Sequence, residues 1–456
     1  MKRSESAASV IVVCAGPAGA TAARALALSG VPVILLDRSS FPRNKPCGGG
    51  ISARALRRFP HLQGALSRIP THALRRLRLE GPDGASALVE ADETAALMIR
   101  RFEFDALLVS LAVEAGATLV TGTDIAQASA DADRVLLQAR DGRRFEAPIV
   151  IAADGVHSVV ARRLGLNRRW PSASLALDMM EETPRTVLQD VDPNTMWVAY
   201  GYESSLSHSR PAGGRTAEGY AYVFPKRDHV NVGLGYVLSY YRDAVAADPY
   251  ELQRQLVGSL TARGAMAGAS SRRHFTPFLI PVGGPLPQTA TGRVLLAGDA
   301  GGFVNAFTAE GIYYSMVTGD LAARAVIDSA HETRVEGAAR LYREAWRAEI
   351  GPELRDSVLI QRHLFAHRNR IAGIIKTAAK RTGSTRALLD YAIGRRSYAS
   401  ARRHLLTRYP HLAVWMLWER FGAPLFASDR HGEQPATSTQ KVWRAIHSRS
   451  SESTTT

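Results

Sequence analysis

The segment from residue 9 to residue 37 restricts the possible folds of this chain more than any other. Residues 9–14 form a β-branched apolar run, a glycine turn follows, and the helix-like TAARALALSG leads into VPVILLD. A strand, a helix and a second strand in this order predict a parallel sheet. The turn reads CAGPAG (residues 14–19) and is close to the G-x-G-x-x-G fingerprint of dinucleotide-binding proteins, with the required acid, Asp37, about twenty residues later.

Each of these positions has a physical role in holding a pyrophosphate. Gly16 lets the backbone approach the anion, Gly19 permits close packing of helix on strand, and the helix N-terminus favours negative charge. The Asp37 carboxylate, at the end of the second strand, is placed to accept hydrogen bonds from ribose hydroxyls. Cys14 stands where the fingerprint has its first glycine. We interpret it as a small buried residue and not as a reactive thiol.

Three further motifs follow at a distance. VIAADGVHSVVARRLG (150–165) is a strand, an Asp-Gly turn and a helix, and GRVLLAGDAGGFVNAFTAEGIYYSM (292–316) contains a Gly-Asp pair and a second glycine turn. Arg101, Phe104 and Asp105 form an R-x-x-F-D pattern, with Arg100 as the neighbouring alternative for the arginine. With these motifs in this order the sequence resembles the flavoprotein hydroxylase (PHBH-like) superfamily, which implies FAD as the dinucleotide.

The resemblance also implies a site. Asp299 would contact the ribityl chain of FAD, and the helix that begins near Gly311 and Ile312 would direct its N-terminus at the flavin ring. The positive end of that helix dipole would stabilise an anionic reduced flavin. The residues that we assign to FAD are Gly16, Pro17, Ala18, Gly19, Asp37, Arg38, Cys47, Gly48, Gly49, Arg101, Ile125, Asp154, Asp299, Gly311 and Ile312.

Two further stretches resemble one particular family within this superfamily. FPRNKPCGGGIS (41–52) is similar to the cysteine–glycine loop of geranylgeranyl reductases, and YAYVFPKRDHVNVGLG (220–235) is similar to their Y-x-W-x-F-P…N-V-G-x-G segment, with Tyr222 in place of the usual tryptophan. Enzymes of that family use reduced FAD to saturate isoprenoid double bonds of lipids, quinones or pigment precursors. The resemblance covers about residues 9–345.

The loop with Cys47 suits this chemistry. A hydride must reach one alkene carbon and a proton the other, and three consecutive glycines allow backbone to pass close to the flavin. Cys47 is a candidate to donate or relay the proton, or else it only shapes the cavity. The predicted substrate pocket, whose aromatic members could equally be core residues, consists of Tyr220, Tyr222, Phe224 and Pro225.

The predicted fold is α/β, with three regions. A discontinuous Rossmann-like FAD-binding domain takes residues 1–73, 98–170 and 290–345. An inserted antiparallel β-sheet substrate domain takes 74–97 and 171–289. A C-terminal helical region follows at 346–430, and 431–456 are expected to be a disordered tail.

The last quarter of the chain is strongly basic. The chain carries a net charge of +15, and residues 347–456 hold 19 basic and 8 acidic residues, an excess of 11. We interpret this quarter as an appendage to the redox core that docks on an anionic membrane through its arginine-rich helices and residues 411–427. An arginine-rich coding bias is the alternative, and a nucleic-acid-binding protein is disfavoured because no such motif accompanies the charge.

Other features bear on compartment and on competing functions. Two cysteines fit a reducing cytosol, and no uninterrupted apolar run of about 18 residues is present.

The runner-up function is an FAD-dependent monooxygenase that hydroxylates or epoxidises an aromatic or prenylated substrate. NAD(P)H would dock transiently as the electron donor, because no second fingerprint occurs, or ferredoxin would serve. No His/Cys/Glu spacing predicts a metal.

Overall fold

The computed structural model describes residues 9–206, 216–329 and 336–380, and also residues 400, 403 and 407. The chain divides into two compact units, Met1–Tyr398 and Ala399–Thr456, and the first is described below. The expected tail (431–456) and the proposed membrane segment (411–427) lie outside the described residues.

The strands, in chain order, are β1 (Val10–Val13), β2 (Val33–Leu36), β3 (Gly50–Ser52), β4 (His72–Leu74), β5 (Arg76–Glu80), β6 (Ser86–Glu90), β7 (Ala96–Met98), β8 (Thr118–Val120), β9 (Ile125–Ala130), β10 (Val135–Ala139), β11 (Arg144–Ala147), β12 (Ile149–Ala152), β13 (Leu175–Pro184), β14 (Leu188–Gln189), β15 (Thr195–Tyr200), β16 (Gly219–Pro225), β17 (His229–Val237), β18 (Ala267–Gly268), β19 (Phe275–Pro281), β20 (Ala290–Thr291) and β21 (Val294–Leu296). The α-helices are α1 (Pro17–Leu28), α2 (Ala53–Arg58), α3 (His61–Ala65), α4 (Arg101–Glu114), α5 (Val159–Arg163), α6 (Leu238–Tyr240), α7 (Pro249–Ala262), α8 (Ile312–Ser329), α9 (Glu336–Glu349), α10 (Gly351–Phe365) and α11 (Arg368–Lys380).

A six-stranded sheet forms the centre of the first domain, in the order β20-β21-β12-β1-β2-β8. All neighbours pair in parallel except β20 and β21. Every residue of β1, β2 and β12 is buried, as expected for parallel strands that are covered on both faces. The parallel sheet and the Rossmann-like class that the sequence predicts are therefore confirmed.

The two faces of this sheet are covered differently. Helices α1, α4 and α8 pack on one face. The antiparallel strands β9, β10 and β11 pack on the other, where Ile125 and Val135 meet Ile11 and Ile34. Strands β10 and β11 form a hairpin that turns through Asp141 and Gly142.

The second large sheet has seven strands in the order β19-β13-β17-β16-β15-β5-β6. All its pairs are antiparallel except β15 with β5, and β5 and β6 form a hairpin. Helix α7 buries one face, through Leu252 and Leu256 among others. The opposite face carries Leu77, Val198 and Tyr222 and is turned towards the functional site.

The helices after residue 336 are structural parts of the core. In α9, the Tyr342 hydroxyl donates to the Leu296 carbonyl (2.6 Å) and Trp346 Nε1 donates to Thr289 Oγ1 (3.0 Å). Leu364 of α10 and Ile371 of α11 pack against Ala87 of β6. The interpretation of the basic quarter as an appendage is thus wrong for residues 347–380, because apolar side chains of α10 and α11 pack against the second sheet. Among the described helices, none is both long and apolar enough to cross a bilayer.

Candidate functional site

The glycine turn between β1 and α1 is tightly closed. Cys14 has a φ of 77°, in the left-handed region that favours glycine, so the first fingerprint position keeps a glycine-like backbone despite its side chain. A Cβ on Gly19 would lie 1.9 Å from the Cys14 carbonyl oxygen, which requires glycine there. Burial, with a further contribution from Asp37, raises the pKa of the Cys14 thiol to about 11. Cys14 is therefore a protonated, unreactive thiol at neutral pH.

Asp37 is tied to the same turn. Its carboxylate accepts from the Ala15 backbone N–H (2.8 Å) and from the Ser39 N–H (2.9 Å). Arg43 lies 3.5 Å from Asp37 and 3.2 Å from Asp105, and so bridges the two carboxylates. The acid at the end of β2 is thus positioned beside the turn, within a network of alternating charges.

Arg101 and Arg100 point to different places. Arg101 forms a two-pronged pair with Asp105 (2.5 and 2.8 Å), and its guanidinium lies 4.0 Å from where a Cβ on Gly16 would be. Burial opposes the charge of Arg101, but the attraction of Asp105 outweighs it, and the pKa of Arg101 is raised. Arg100 instead pairs with Glu182 of the second sheet (2.9 Å). Arg101 is the arginine at the glycine turn.

Lys45 adds a third cation to this cleft. Its side chain is exposed to solvent and lies near the charged groups of the cleft. Limited hydration in the cleft, together with Arg101, lowers the pKa of Lys45, and Asp299 opposes that shift. Reduced hydration also raises the pKa of Asp299, against the attraction of Lys45 and Arg101. The mutual effects show that Asp299, from the Gly-Asp pair, shares a cleft with the basic residues of the first turn.

Asp154, of the Asp-Gly motif, begins the segment before α5. Its Oδ2 accepts from the backbone N–H groups of Val159 (2.8 Å) and Val160 (3.2 Å). Its Oδ1 is buried without a hydrogen-bond partner in the structure. Desolvation raises the pKa of Asp154, and these hydrogen bonds oppose the shift. Asp154 also contributes to the raised pKa of Cys14, which places it at the glycine turn.

The second glycine turn leads into α8, which begins at Ile312. A Cβ on Gly311 would lie 3.6 Å from Asp299 Oδ1, so the two predicted FAD residues are neighbours. Asn305 is fully buried and its Oδ1 accepts from the N–H groups of Phe307 and Thr308 (3.0 Å each). This loop therefore has a fixed course in front of the helix N-terminus.

The loop with Cys47 is held against the second sheet. Asn231 Nδ2 donates to the Cys47 carbonyl (2.7 Å), and the Gly49 N–H donates to Cys47 Sγ (3.4 Å). Gly49 has a φ of 77°, and a Cβ there would lie 2.1 Å from the Ile99 carbonyl oxygen. The buried ammonium of Lys226, which pairs with Glu182, lies against the same glycine. The glycines are needed because backbone and a buried cation approach them closely.

Three aromatic residues alternate on β16 and share one face. The ring of Tyr222 lies 6.0 Å from that of Tyr220 and 4.6 Å from that of Phe224. A Cβ on Gly48 would lie 2.8 Å from the Phe224 ring, so this strand meets the cysteine–glycine loop. Pro225, the last residue of β16, is buried.

An apolar cavity of about 140 Å³ lies on this face of the sheet. Strands β5, β15 and β16 form its floor, helices α10 and α11 form one wall, and the loop before α8 forms another. Its lining residues are Leu77, Leu79, Met196, Val198, Tyr200, Tyr220, Phe224, Phe307, Thr308, Leu364, Ile371, Ile374 and Ile375. Tyr200 stacks on Phe307 at 4.9 Å. The cavity is shaped for an elongated apolar group that adjoins the cysteine–glycine loop through Phe224.

Two predicted FAD residues lie apart from these groups. Arg38 is exposed next to Asp37. Ile125 is buried in the apolar layer between the two sheets of the first domain, although Thr123, two residues earlier, donates to the Asp37 carbonyl (2.9 Å). Sequence reasoning missed Arg43, Lys45, Lys226 and Asn231. All four stand inside the two segments that resemble geranylgeranyl reductases: three are basic residues, and Asn231 is the asparagine of the N-V-G-x-G segment.

The chain is similar in sequence and in fold to several known proteins. Residues 7–233 match the family described as FAD binding domain. The menaquinone reductase of Mycobacterium tuberculosis is 32% identical over 72% of this chain and 78% of its own length. The digeranylgeranylglycerophospholipid reductase 2 of Methanothermobacter thermautotrophicus is 29% identical over 78% of this chain and 87% of its own. A geranylgeranyl bacteriochlorophyll reductase-like protein from Thermoplasma acidophilum has the same fold, with a TM-score of 0.72 at 18% identity over 90% of this chain and 98% of its own.

The residues present fit FAD. Three cations surround the glycine turn and the start of α1, where a diphosphate would be neutralised: Arg43, Lys45 and Arg101. The unpartnered Asp154 Oδ1 and the Asp299 carboxylate are acceptors for sugar or ribityl hydroxyls. Both charges and acceptors that such a cofactor needs are therefore in one cleft.

Proposed function

The chain belongs to the geranylgeranyl reductase family of FAD-dependent oxidoreductases, and on this premise we propose that it reduces carbon–carbon double bonds of a polyprenyl lipid, quinone or related isoprenoid. The matched relatives act, by their names, on menaquinone and on a geranylgeranylated phospholipid. The substrate would be a molecule with a prenyl chain. Its electrons would come through FAD from NAD(P)H or ferredoxin.

One observation carries this proposal. The apolar cavity, lined by aliphatic side chains from β5, β15, α10 and α11, ends at Phe224, and the Phe224 ring lies against Gly48. Transfer of a branched hydrocarbon chain from water into such a cavity is favourable, by about 25 cal/mol for each Å² of apolar surface removed from water. The cavity would therefore hold the prenyl chain, and the cysteine–glycine loop would meet the reacting end.

The residues of the chain divide the work of the reaction. Bound FAD, once reduced, supplies a hydride to one carbon of the double bond. Arg43, Lys45 and Arg101 would hold the diphosphate through charge-assisted hydrogen bonds. The packed side chains around Tyr200 and Phe307 exclude water from the double bond, and they position the chain relative to the loop.

Cys47 has two candidate roles in this scheme. Its thiol could donate or relay the proton to the second carbon, or its backbone could only hold the loop through Asn231. The guanidinium of Arg101 is close enough to Cys47 that the thiol contributes to the raised pKa of Arg101. A Cys47→Ala variant separates the roles. Undiminished hydride transfer in that variant would rule out proton donation by the thiol.

The central test is an anaerobic single turnover. Protein loaded with FAD is reduced by dithionite without oxygen and mixed with a panel of prenylated compounds, including menaquinone and geranylgeranyl lipids. We expect the flavin to become oxidised, as measured by absorbance, while the prenyl chain gains two mass units for each bond reduced. Fragment masses of the product assign the gain to the chain and separate it from reduction of a quinone ring.

Two outcomes would contradict the proposal. Protein that takes up no FAD would exclude any flavin chemistry. A product that gains an oxygen atom, and forms only in air, would instead establish the monooxygenase alternative, because oxygen and not the double bond would then consume the reducing equivalents.

A further inference from the structure

Asp178 places a carboxyl group, with no cation paired to it among the described residues, within the apolar face of the second sheet. Asp178 lies on β13 between Ala176 and Met180, and these residues point to the cavity side, whereas Leu177 and Met179 pack towards α7. Asp178 is 5% exposed. Burying a carboxyl on an apolar face is costly unless it is hydrogen-bonded or neutral. Its partners therefore indicate what it does.

The partner of Asp178 is the hydroxyl of Tyr222, at 2.9 Å from its Oδ1. The two residues lie on strands that are separated by β17, and the phenol crosses that strand over Gly233. A Cβ on Gly233 would lie 2.6 Å from the Tyr222 hydroxyl oxygen, and one on Gly235 would lie 3.2 Å from Asp178 Oδ2. The two glycines of the N-V-G-x-G segment thus leave the space that this pair needs.

A second, small cavity lies between Asp178 and the loop before α8. It has a volume of about 30 Å³, enough for one or two water molecules, and is lined by Asp178, Tyr220, Ala306 and Phe307 among others. The Tyr220 hydroxyl donates to the Thr308 carbonyl (3.2 Å) in the same loop. The pair is therefore next to the loop that precedes the N-terminus of α8, at the end of the apolar cavity marked by Tyr220.

We propose that Asp178 and Tyr222 form the buried acid pair that supplies the proton of the reduction. The hydride forms a C–H bond at one carbon, the π bond breaks, and the other carbon takes the proton of the Tyr222 hydroxyl. Tyr222 receives in turn the proton of Asp178, so the negative charge ends on the Asp178 carboxylate, which later recovers a proton from solvent. This assignment rests on the proposed function, and it directs the reacting end of the substrate to Tyr222 and its tail to the apolar cavity.

The electrostatics of the pair agree with this role. Burial raises the pKa of Asp178 to about 7, although the hydrogen bond from Tyr222 opposes the shift. The ionisable groups that face Asp178 are Tyr222 and Tyr220 of β16, with Glu218 on the lining of the small cavity and Cys47 beyond the tyrosines. Burial, followed by the charge of Asp178, raises the pKa of both tyrosines well above the usual value. Asp178 is thus the group that changes charge near neutral pH.

The test uses the FAD-loaded, full-length protein under anaerobic conditions, with a geranylgeranyl ether lipid, which carries no quinone ring, as the probe. We expect the rate at which the probe oxidises the reduced flavin to fall as the pH rises through about 7. Asp178→Asn should slow this step at least 30-fold and remove its pH dependence, and Tyr222→Phe should slow it at least 10-fold. Flavin reduction by dithionite should be unchanged in both variants.

The matched control is Glu181→Gln. Glu181 is a fully buried carboxyl on the same strand, but on the α7 side, where Ser270 and Ser271 hold it. Its replacement should leave the pH profile as it is. Infrared pH-difference spectra of the cofactor-free protein give a readout independent of turnover: the carbonyl band of a protonated acid should titrate near neutral pH and vanish in Asp178→Asn.

The possible failures are distinguishable. A native protein that reduces none of the prenylated compounds would overturn the proposed function, and this assignment with it. A native protein that reduces them, with an Asp178→Asn variant of equal rate and pH profile, would overturn the acid pair alone. If the Asp178→Asn variant does not fold, either of two other results would overturn the acid pair. One is a Tyr222→Phe variant that reacts as fast as the native protein, and the other is a native protein whose rate does not change between pH 6 and 8.

Discussion

The two halves of the candidate site are built in opposite ways. Around the glycine turn, function is carried by backbone and by charges such as Arg43 and Arg101, which lie close to one another along a few loops. Over the seven-stranded sheet, function is carried by side chains that converge from residues 77 to 375. In the first half, a single carbon added at Gly19 would collide with the backbone of Cys14, whereas the second half is a packed surface whose members can be exchanged one at a time.

This contrast explains why only one half has a recognisable signature. A diphosphate imposes the same close approach of backbone wherever it is bound, and so the same glycines recur. An apolar chain requires only a cavity of sufficient volume that excludes water, and many combinations of leucine, isoleucine and aromatic residues provide one. Changes in the two halves should therefore differ in kind as well as in size.

The largest effect should follow Gly19→Ala. The added Cβ would meet the Cys14 carbonyl at 1.9 Å, so α1 must move away from β1. We expect the purified protein to lose its bound flavin and to unfold at a free energy about 3 kcal/mol lower. Flavin absorbance and chemical denaturation measure both. Gly258→Ala in α7, where nothing lies within 4 Å of the new Cβ, should keep the flavin and be slightly stabilising.

A smaller and different effect should follow Leu364→Ala in α10. This side chain is 8% exposed, packs on β6 and lines the apolar cavity. Its loss should lower the free energy of unfolding by about 2 kcal/mol and raise KM for a prenylated substrate, with flavin content unchanged. Lys380→Ala, at the exposed end of α11, should change stability by less than about 0.5 kcal/mol. If both variants behaved alike, these helices would not form the cavity wall.

Asp178→Asn should show its effect through pH. Because the folded-state pKa of Asp178 is raised to about 7, the native state keeps a proton that the unfolded state has released between about pH 4 and 7. The native protein therefore loses stability as the pH rises through that window and stays constant above it. The variant lacks this loss, and at pH 8 it should be more stable by on the order of 1–2 kcal/mol. Thermal unfolding at pH 5 and pH 8 measures the difference, which should nearly vanish at the lower pH.

The smallest effect should follow Cys14→Gly. The substitution removes a side chain from a left-handed backbone but makes the unfolded chain more flexible, and the two changes nearly cancel. We expect a gain of stability of about 0.5 kcal/mol and an unchanged flavin content. A loss of flavin would show that the thiol itself, and not only the course of the backbone, supports the turn.

Motifs made of neighbouring residues predict the first half of the site, and they also predict the central parallel sheet, which the structure confirms. The β1–turn–α1 unit, the Asp-Gly and Gly-Asp turns and the β5–β6 hairpin depend on neighbours in the chain, so their motifs predict them. The charge of Arg43 could have been noticed beside the glycines, but its bridge between Asp37 and Asp105 depends on how α4 packs. That packing is set by the whole domain.

The second half could be predicted only as a list of aromatic residues. Alternation along LALDMMEE places Asp178 opposite Leu177 and Met179, which is a local signal, but its partner Tyr222 lies two strands away. The role of α10 and α11 was missed for a similar reason. The combined net positive charge of the two helices is visible in the sequence, but their apolar side chains can be recognised as a cavity wall only once β6 is known to pack beside them. Charge describes the outer face of these helices, and the cavity is formed by the inner one.

The parallel pairing of β15 with β5 has a consequence for how the chain folds. It aligns Thr195 with Arg76, so the sheet joins a hairpin made early in synthesis to strands made more than a hundred residues later. Contacts between such distant segments close slowly, because a long loop must be ordered first. Until β15 arrives, the β5–β6 hairpin presents an unpaired edge and an uncovered apolar face to the cell. The surface proposed to receive the prenyl chain is thus completed only after β15 has been made, and its apolar strands can aggregate until then.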